Sequence, residues 1–186
     1  EWRPAALNNG WTYSDRVRAG EQSSRLSDVL ANRYRHSCAA TWQQRLVSGE
    51  ITLNGFGCPD DVEVKAGDWI RWARPPWVEA AVPDQWEVIH DDGDVLVVNK
   101  PSGLPVMPGG GFLVHTLTSL LERSSRDVGE ISVPKPIHRL GRFTSGLQVC
   151  ARRPETRAAL SKQFRPGGVC RKTYLALTHR MESLEH

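Results

Sequence analysis

The chain has no apolar run approaching the roughly eighteen residues of a membrane span. Glu1-Trp2-Arg3-Pro4 shows no basic flank leading into an apolar core, so neither a membrane segment nor a secretory leader is expected. The four cysteines (Cys38, Cys58, Cys150 and Cys170) form no Cys-x-x-Cys pair and have no matching histidine spacing. This argues against a zinc site and reads as free, reduced thiols in a cytoplasmic protein. The glycines of Pro108-Gly109-Gly110-Gly111 lack the following Lys-Ser/Thr of a nucleotide-binding P-loop.

What is present suits a globular protein of one domain or two small ones: 186 residues, 39% hydrophobic and 24% charged. The net charge is only +3, but its distribution is uneven. Residues 1–131 carry 13 Lys/Arg against 18 Asp/Glu, a net of −5, and residues 132–183 carry 11 against 2, a net of +9. A basic region on an acidic background points to a polyanionic partner touching one part of the molecule.

Along the chain, residues 1–23 read as an irregular N-terminal extension, with a turn at Asn8-Asn9-Gly10 and with Trp2 and Trp11 packing on something. Residues 24–74 read as a small domain. Leu26, Val29 and Leu30 recur at helix spacing after Ser24 or Ser27 as a cap, and a second helix runs from a Ser37 cap to Ser48-Gly49. Short strands follow at 51–53, 62–64 and 69–72, with Asn54-Gly55 as a tight turn. The proline-punctuated stretch 75–85 reads as an extended linker. Beyond it, strands at 86–90 and 95–99 flank the acidic turn Asp91-Asp92-Gly93-Asp94, and the second is apolar enough to be central. A helical face of His115, Leu117, Leu120 and Leu121 comes next. Pro154 opens another helix, with Ala158, Ala159, Leu160 and Phe164 as its apolar face. Val169 to Leu177 reads as a strand that places Lys172 and Tyr174 on one side. Leu184-Glu185-His186 reads as a tag remnant.

One stretch concentrates chemistry: His138-Arg139-Leu140-Gly141-Arg142-Phe143-Thr144-Ser145-Gly146-Leu147. A loop that bends at glycine and then enters a strand sets amides, hydroxyls and arginines at the strand's mouth. Polyanion sites are built that way, although a tight turn with solvated arginines has the same composition.

That stretch resembles the His-Arg-Leu-Asp-x-x-Thr-Ser-Gly-Leu motif of RluA-type pseudouridine synthases. Asn99-Lys100-Pro101-Ser102-Gly103-Leu104 and Lys172-x-Tyr174-x-Ala176-Leu177 resemble two further motifs of that family, in the same order. Residues 24–74 resemble the small RNA-binding domain first seen in ribosomal protein S-four, which many such synthases carry. The resemblance implies an α+β protein. A helix–helix–hairpin RNA-binding domain is followed, over residues 86–183, by part of a mixed, mostly antiparallel catalytic sheet with flanking helices. It implies isomerisation of uridine to pseudouridine in rRNA or tRNA, with no cofactor, no metal and no membrane. In the family the motif's Asp attacks the ribose C1′ or the uracil C6, and the base is freed, turned and rejoined through C5.

Here Gly141 stands at the position of that catalytic Asp. Glycine offers no lone pair to a substrate, and Arg142 is a permanent cation without an acceptor. The family's late Thr-Gly-Arg-x-His-Gln-Ile-Arg motif is also absent, which reads as a truncation. The expected site is therefore Gly141 with Tyr174, a base-stacking candidate, at the catalytic position. Arg139, Arg142, Thr144, Ser145, Lys100 and Lys172 would hold RNA there, and Arg35 and Arg45 would hold it on the small domain. The alternatives are an active synthase and a non-catalytic RNA-binding relative.

Overall fold

The computed structural model describes residues 1–177. The chain divides into two compact units. One comprises Ala5–Ala80, and the other joins Glu1–Pro4 to the chain from Ala81 onward. Strand β1 (Trp2–Arg3) belongs to the second unit.

The Ala5–Ala80 unit contains β2 (Ala6–Leu7), β3 (Trp11–Arg16), α1 (Leu26–Arg33), α2 (Ala39–Val47), β4 (Ile51–Leu53), β5 (Phe56–Gly57), β6 (Trp69–Arg74) and β7 (Val78–Glu79). Its sheet runs β3-β6-β4-β5 and is antiparallel throughout. The β4–β5 hairpin turns at Asn54 and Gly55, whose φ values of 52° and 88° are those of a tight two-residue turn. Helices α1 and α2 cover one sheet face. Leu26, Val29, Leu30, Trp42 and Leu46 meet Ile51, Val64, Ile70 and Trp72 in a closed core. Helix α1 is capped from a distance: the Asp61 carboxylate accepts from the Ser27 amide at 2.9 Å and the Ser27 hydroxyl at 2.8 Å. The flanking residues before α1 and α2 are Arg25 and Cys38, neither of which caps through its side chain, so none of the expected serines stands at a cap position.

Two expectations are corrected here. Residues 1–23 are not irregular, since Trp11–Arg16 pairs along its whole length with Trp69–Arg74. Arg33 fixes the arrangement with ion pairs to Asp15 at 2.7 Å and to Glu21; its guanidinium holds the Glu21 carboxyl down at about 2. Residues 62–64 form no strand, because Glu63 bridges only Arg25. The expected boundary stretch 75–85 contains the division between the units, after Ala80, and carries β7, paired with β2, and β8 (Val82–Pro83), paired with β1.

The second unit is built on β9 (Glu87–Asp91), β10 (Val95–Lys100), α3 (Leu117–Asp127), β11 (Lys135–Pro136), β12 (Gly146–Ala151) and α4 (Pro154–Phe164). The sheet order is β11-β12-β10-β9, all antiparallel, with β10 internal as its apolar composition requires. Leu96 and Val98 of β10 and Cys150 of β12 point to one face, where they meet Leu104, Leu117, Leu120 and Leu121. Burial pushes the Cys150 thiol up to about 12, so it behaves as a small apolar group. The acidic turn is structural. Asp91 pairs with Arg152 at 2.8 Å, Asp94 with Arg153 at 2.6 Å, and Asp92 accepts the amides of Asp94 and Val95.

Helix α4 begins at Pro154, where a missing N–H costs nothing. Its expected apolar face is only partly covered by described residues: Ala158 and Ala159 are exposed, Leu160 and Phe164 half-buried. The expected strand from Val169 to Leu177 does not form among the described residues. Alternation becomes a strand only where a ladder partner exists, and no strand among the described residues pairs with this run.

Candidate functional site

The loop between β11 and β12 is held by the segment that leaves β10. Lys100 sits opposite Gly146 in the β10–β12 register and is fully buried. Its Nζ donates to the carbonyls of Pro101 (2.9 Å), Leu104 (2.8 Å) and Arg142 (3.2 Å). An ammonium has three donors, and all three are used. Burial still draws its pKa down to about 8. The expectation that Lys100 contacts phosphate is therefore corrected, because its charge serves as an internal bracket. The two segments are stitched further by Gly103 N–H to Arg142 O at 2.8 Å, Ser102 Oγ to Phe143 O at 2.8 Å, and Arg142 Nε to Gly103 O at 3.0 Å.

Within the loop, Leu140 is buried and anchors it, while Arg139 is exposed with no ion-pair partner among the described residues. The Thr144 amide donates to Gly141 O at 3.1 Å and closes a turn. Arg142 lies against two rings, with its guanidinium carbon 4.5 Å from the Phe112 centroid and 4.9 Å from that of Phe143. Thr144 is half-buried, and Ser145 borders an open groove shared with Gln85, Glu87 and Asn99. Gly141 is exposed, and a Cβ placed on it meets only Thr144 Oγ1, at 3.2 Å. Its backbone is not in the left-handed region, so glycine is not required there by conformation.

His138 is part of the support. Its Nε2 accepts the Val149 N–H at 3.1 Å, taking a ladder position that a backbone carbonyl usually fills, so the ring is neutral with its proton on Nδ1. The ring stacks on Phe164 with centroids 4.7 Å apart. Burial, aided by the charge of Lys172, lowers its pKa. Gln148 is fully buried beside it and donates to the carbonyls of His138 (2.9 Å) and Val149 (3.1 Å).

The structure brings Arg139, Gly141, Arg142, Thr144, Ser145 and Lys100 together in one loop and its bracket. Lys172 donates to Phe164 O at 2.9 Å and lies over that ring. Tyr174 is 59% exposed on an unpaired segment, so its expected stacking position is not formed. Arg35 is exposed between α1 and α2. Arg45 lies against both Trp42 and Trp72, at 4.4 and 4.8 Å from their rings, and donates to Ser37 Oγ at 3.2 Å. Its guanidinium is thus engaged in packing, with Glu50 Oε2 4.0 Å away. Sequence reasoning passed over the Phe112–Arg142–Phe143 stack, for which the adjacent Arg142-Phe143 pair is the only signal. No group of three His, Cys, Asp or Glu suited to a metal, and no helix long and apolar enough to cross a membrane, occurs among the described residues.

An antiparallel α+β unit thus presents a bracketed, arginine-bearing loop at the mouth of an internal strand. A family model described as RNA pseudouridylate synthase matches residues 94–186, which include that loop, and the chain belongs to this family. Among similar proteins, an uncharacterized RNA pseudouridine synthase of Synechocystis is 40% identical over 153 residues, covering 80% of this chain and 50% of that protein. RNA pseudouridine synthase 5 of Arabidopsis thaliana is 33% identical, covering 87% and 46%. Ribosomal large subunit pseudouridine synthase D of Xylella fastidiosa is 32% identical, covering 90% and 51%. The chain spans about half the length of these relatives.

Proposed function

We propose that the chain acts on RNA as a pseudouridine synthase, isomerising uridine in rRNA or tRNA in the cytoplasm without metal or cofactor. The observation that carries the reading is the family-matching loop Arg139–Ser145, held at a strand mouth by the buried Lys100 bracket. Arg139, exposed and without an ion-pair partner among the described residues, is available to a phosphate, and Thr144 and Ser145 offer hydroxyls beside the groove. The Ala5–Ala80 unit is read as the RNA-binding domain of the ribosomal-protein-S-four kind, from its helix pair followed by the β4–β5 hairpin.

Gly141 favours a second reading, a non-catalytic RNA-binding relative. The loop is intact, yet the position of the attacking carboxylate ends at Cα. The two readings separate in one experiment. The protein and its Gly141→Asp variant are incubated with ribosomal and transfer RNA, and pseudouridine is mapped chemically. Product from the unmodified protein supports the synthase and removes the second reading. Product from the Gly141→Asp variant alone supports the non-catalytic relative. RNA binding without product from either protein overturns isomerisation as this chain's own activity.

A further inference from the structure

The outer face of the β3-β6-β4-β5 sheet has no cover among the described residues. In a sheet, residues directly opposite one another share a face, so the register defines both sides. Asp15 opposite Ile70 and Tyr13 opposite Trp72 lie on the helix side, as the Asp15–Arg33 pair and the Tyr13–Trp72 stack at 5.2 Å confirm. The outer side therefore carries Arg16 opposite Trp69, Ser14 opposite Arg71 and Thr12 opposite Ala73, with Thr52 of β4 on the far side of Arg71.

This face has an unusual composition for an exposed sheet surface. Trp69 remains 44% exposed, and the Arg16 guanidinium lies 4.5 Å from its ring centroid. Arg16 and Arg71 have no ion-pair partner among the described residues, although Arg33, Arg152 and Arg153 are all paired. None of the outer-face residues carries a carboxylate. The two acids adjacent in sequence are engaged elsewhere: Asp15 pairs with Arg33 on the helix side, and Asp68 is tied into its own turn by Asn54 Nδ2 at 2.9 Å and the Lys65 amide at 2.7 Å. Thr12, Ser14, Ala73 and Thr52 are small and leave the centre of the face low, with hydroxyls on three of them.

From this juxtaposition we propose that the outer face binds single-stranded RNA. A base would stack on the Arg16–Trp69 pair, and Arg16 and Arg71 would take backbone phosphates across the row of small residues. Aromatic rings and guanidinium planes are the surfaces on which unpaired bases stack, and unneutralised arginines complement phosphate. A duplex presents its bases already stacked on one another and cannot use the platform. The proposal rests on the reading that this chain acts on RNA. It places the contact on the sheet side of the small unit, away from Arg45, which lies against Trp42 and Trp72.

The test uses the full chain and a fluorescein-labelled twelve-nucleotide single strand, with anisotropy titrations from about 50 to 200 mM salt. Arg16→Gln/Arg71→Gln keeps both stems and removes both charges; Trp69→Leu keeps apolar bulk without a stacking face. Circular dichroism and melting confirm that each variant is folded. The double variant lowers the slope of log affinity against log salt by up to about 1.4, at roughly 0.7 per phosphate on single strands. Trp69→Leu weakens binding by about 5- to 150-fold at every salt concentration, the range of one stacked base. A slope and affinity unchanged in both variants, while the wild type binds, overturn this placement and leave the RNA reading standing. A wild type that binds no RNA at any salt concentration overturns the RNA reading and the placement with it. A stable dimer in sedimentation that the double variant dissolves assigns the face to a second copy and overturns the proposal.

Discussion

Replacing Gly141 with aspartate tests whether the loop still has the shape of a nucleophile carrier. The structural cost can be bounded. The new Cβ stands 3.2 Å from Thr144 Oγ1 and meets nothing else within 4 Å. Relieving that contact takes a few tenths of an ångström, met by a small rotation about Thr144 χ1 at about 0.5–1.5 kcal/mol. Losing a glycine at a compatible backbone restricts the unfolded chain and returns about 0.4–1 kcal/mol. The net change is about 1 kcal/mol or less, a shift of roughly 2–4 °C in melting temperature for a chain of this size. Gly103→Ala supplies the contrast. Gly103 has φ +96° and its Cβ would meet Pro83 Cδ at 3.3 Å, so strain of about 1–3 kcal/mol follows from the left-handed backbone alone. The assay is thermal melting of both variants against the parent at matched pH and salt. A Gly141→Asp loss equal to that of Gly103→Ala would refute the reasoning: the loop would then have closed over the carboxylate's place, and chemistry could not be restored by one side chain.

Two further outcomes follow from the support of the loop. Lys100→Met removes the donor from the Pro101 and Leu104 carbonyls, while Arg142 O keeps the Gly103 amide. A stability loss of about 1–3 kcal/mol is expected, the cost of buried acceptors left unpaired, with faster hydrogen exchange at the Gly103 and Thr144 amides; unchanged protection there would show that the bracket does not hold the loop. His138 is held neutral, so below its ordinary pKa of 6.5 the unfolded chain takes up a proton that the folded ring resists. Its contribution is complete above that pH and declines as pH falls toward the lower folded value. Denaturant unfolding at pH 7.5 and 5.0 should therefore show a smaller acid loss in His138→Gln, which keeps an acceptor for Val149 N–H without a titrating ring; an equal loss in parent and variant would remove His138 as a source of the pH dependence.

Local signals served well where the chain pairs with its near neighbours. The Asp91–Asp94 turn between two strands, the Asn54-Gly55 hairpin and Pro154 at a helix start each act within a few residues, and each was legible. Trp11–Arg16 was not, because its partner is Trp69–Arg74 and nothing within the first 23 residues encodes that pairing. Lys100 is expected on RNA because it stands in one of the three motifs, and its burial is illegible because its three acceptors are main-chain carbonyls, which carry no side-chain signature. The packing of Arg45 is illegible for the complementary reason: its partners, Trp42 and Trp72, come from a helix and a strand that meet only in the folded unit. The loop at 138–147 was found because its residues are contiguous, whereas Tyr174 depended on a ladder that its segment does not make.

The acidic turn and the loop together change the meaning of the +9 carried by residues 132–183. Arg152 and Arg153 face the carboxylates of Asp91 and Asp94, Arg142 donates its Nε–H to the Gly103 carbonyl, and Lys172 donates to a carbonyl. Those cations already have neighbours that screen them or compete for their donors, so they hold fewer mobile counterions than solvated ones. An approaching phosphodiester chain would release correspondingly few ions from them, and the entropy of that release would come instead from exposed positions such as Arg139. The formal charge of this region is therefore an upper limit on its electrostatic reach.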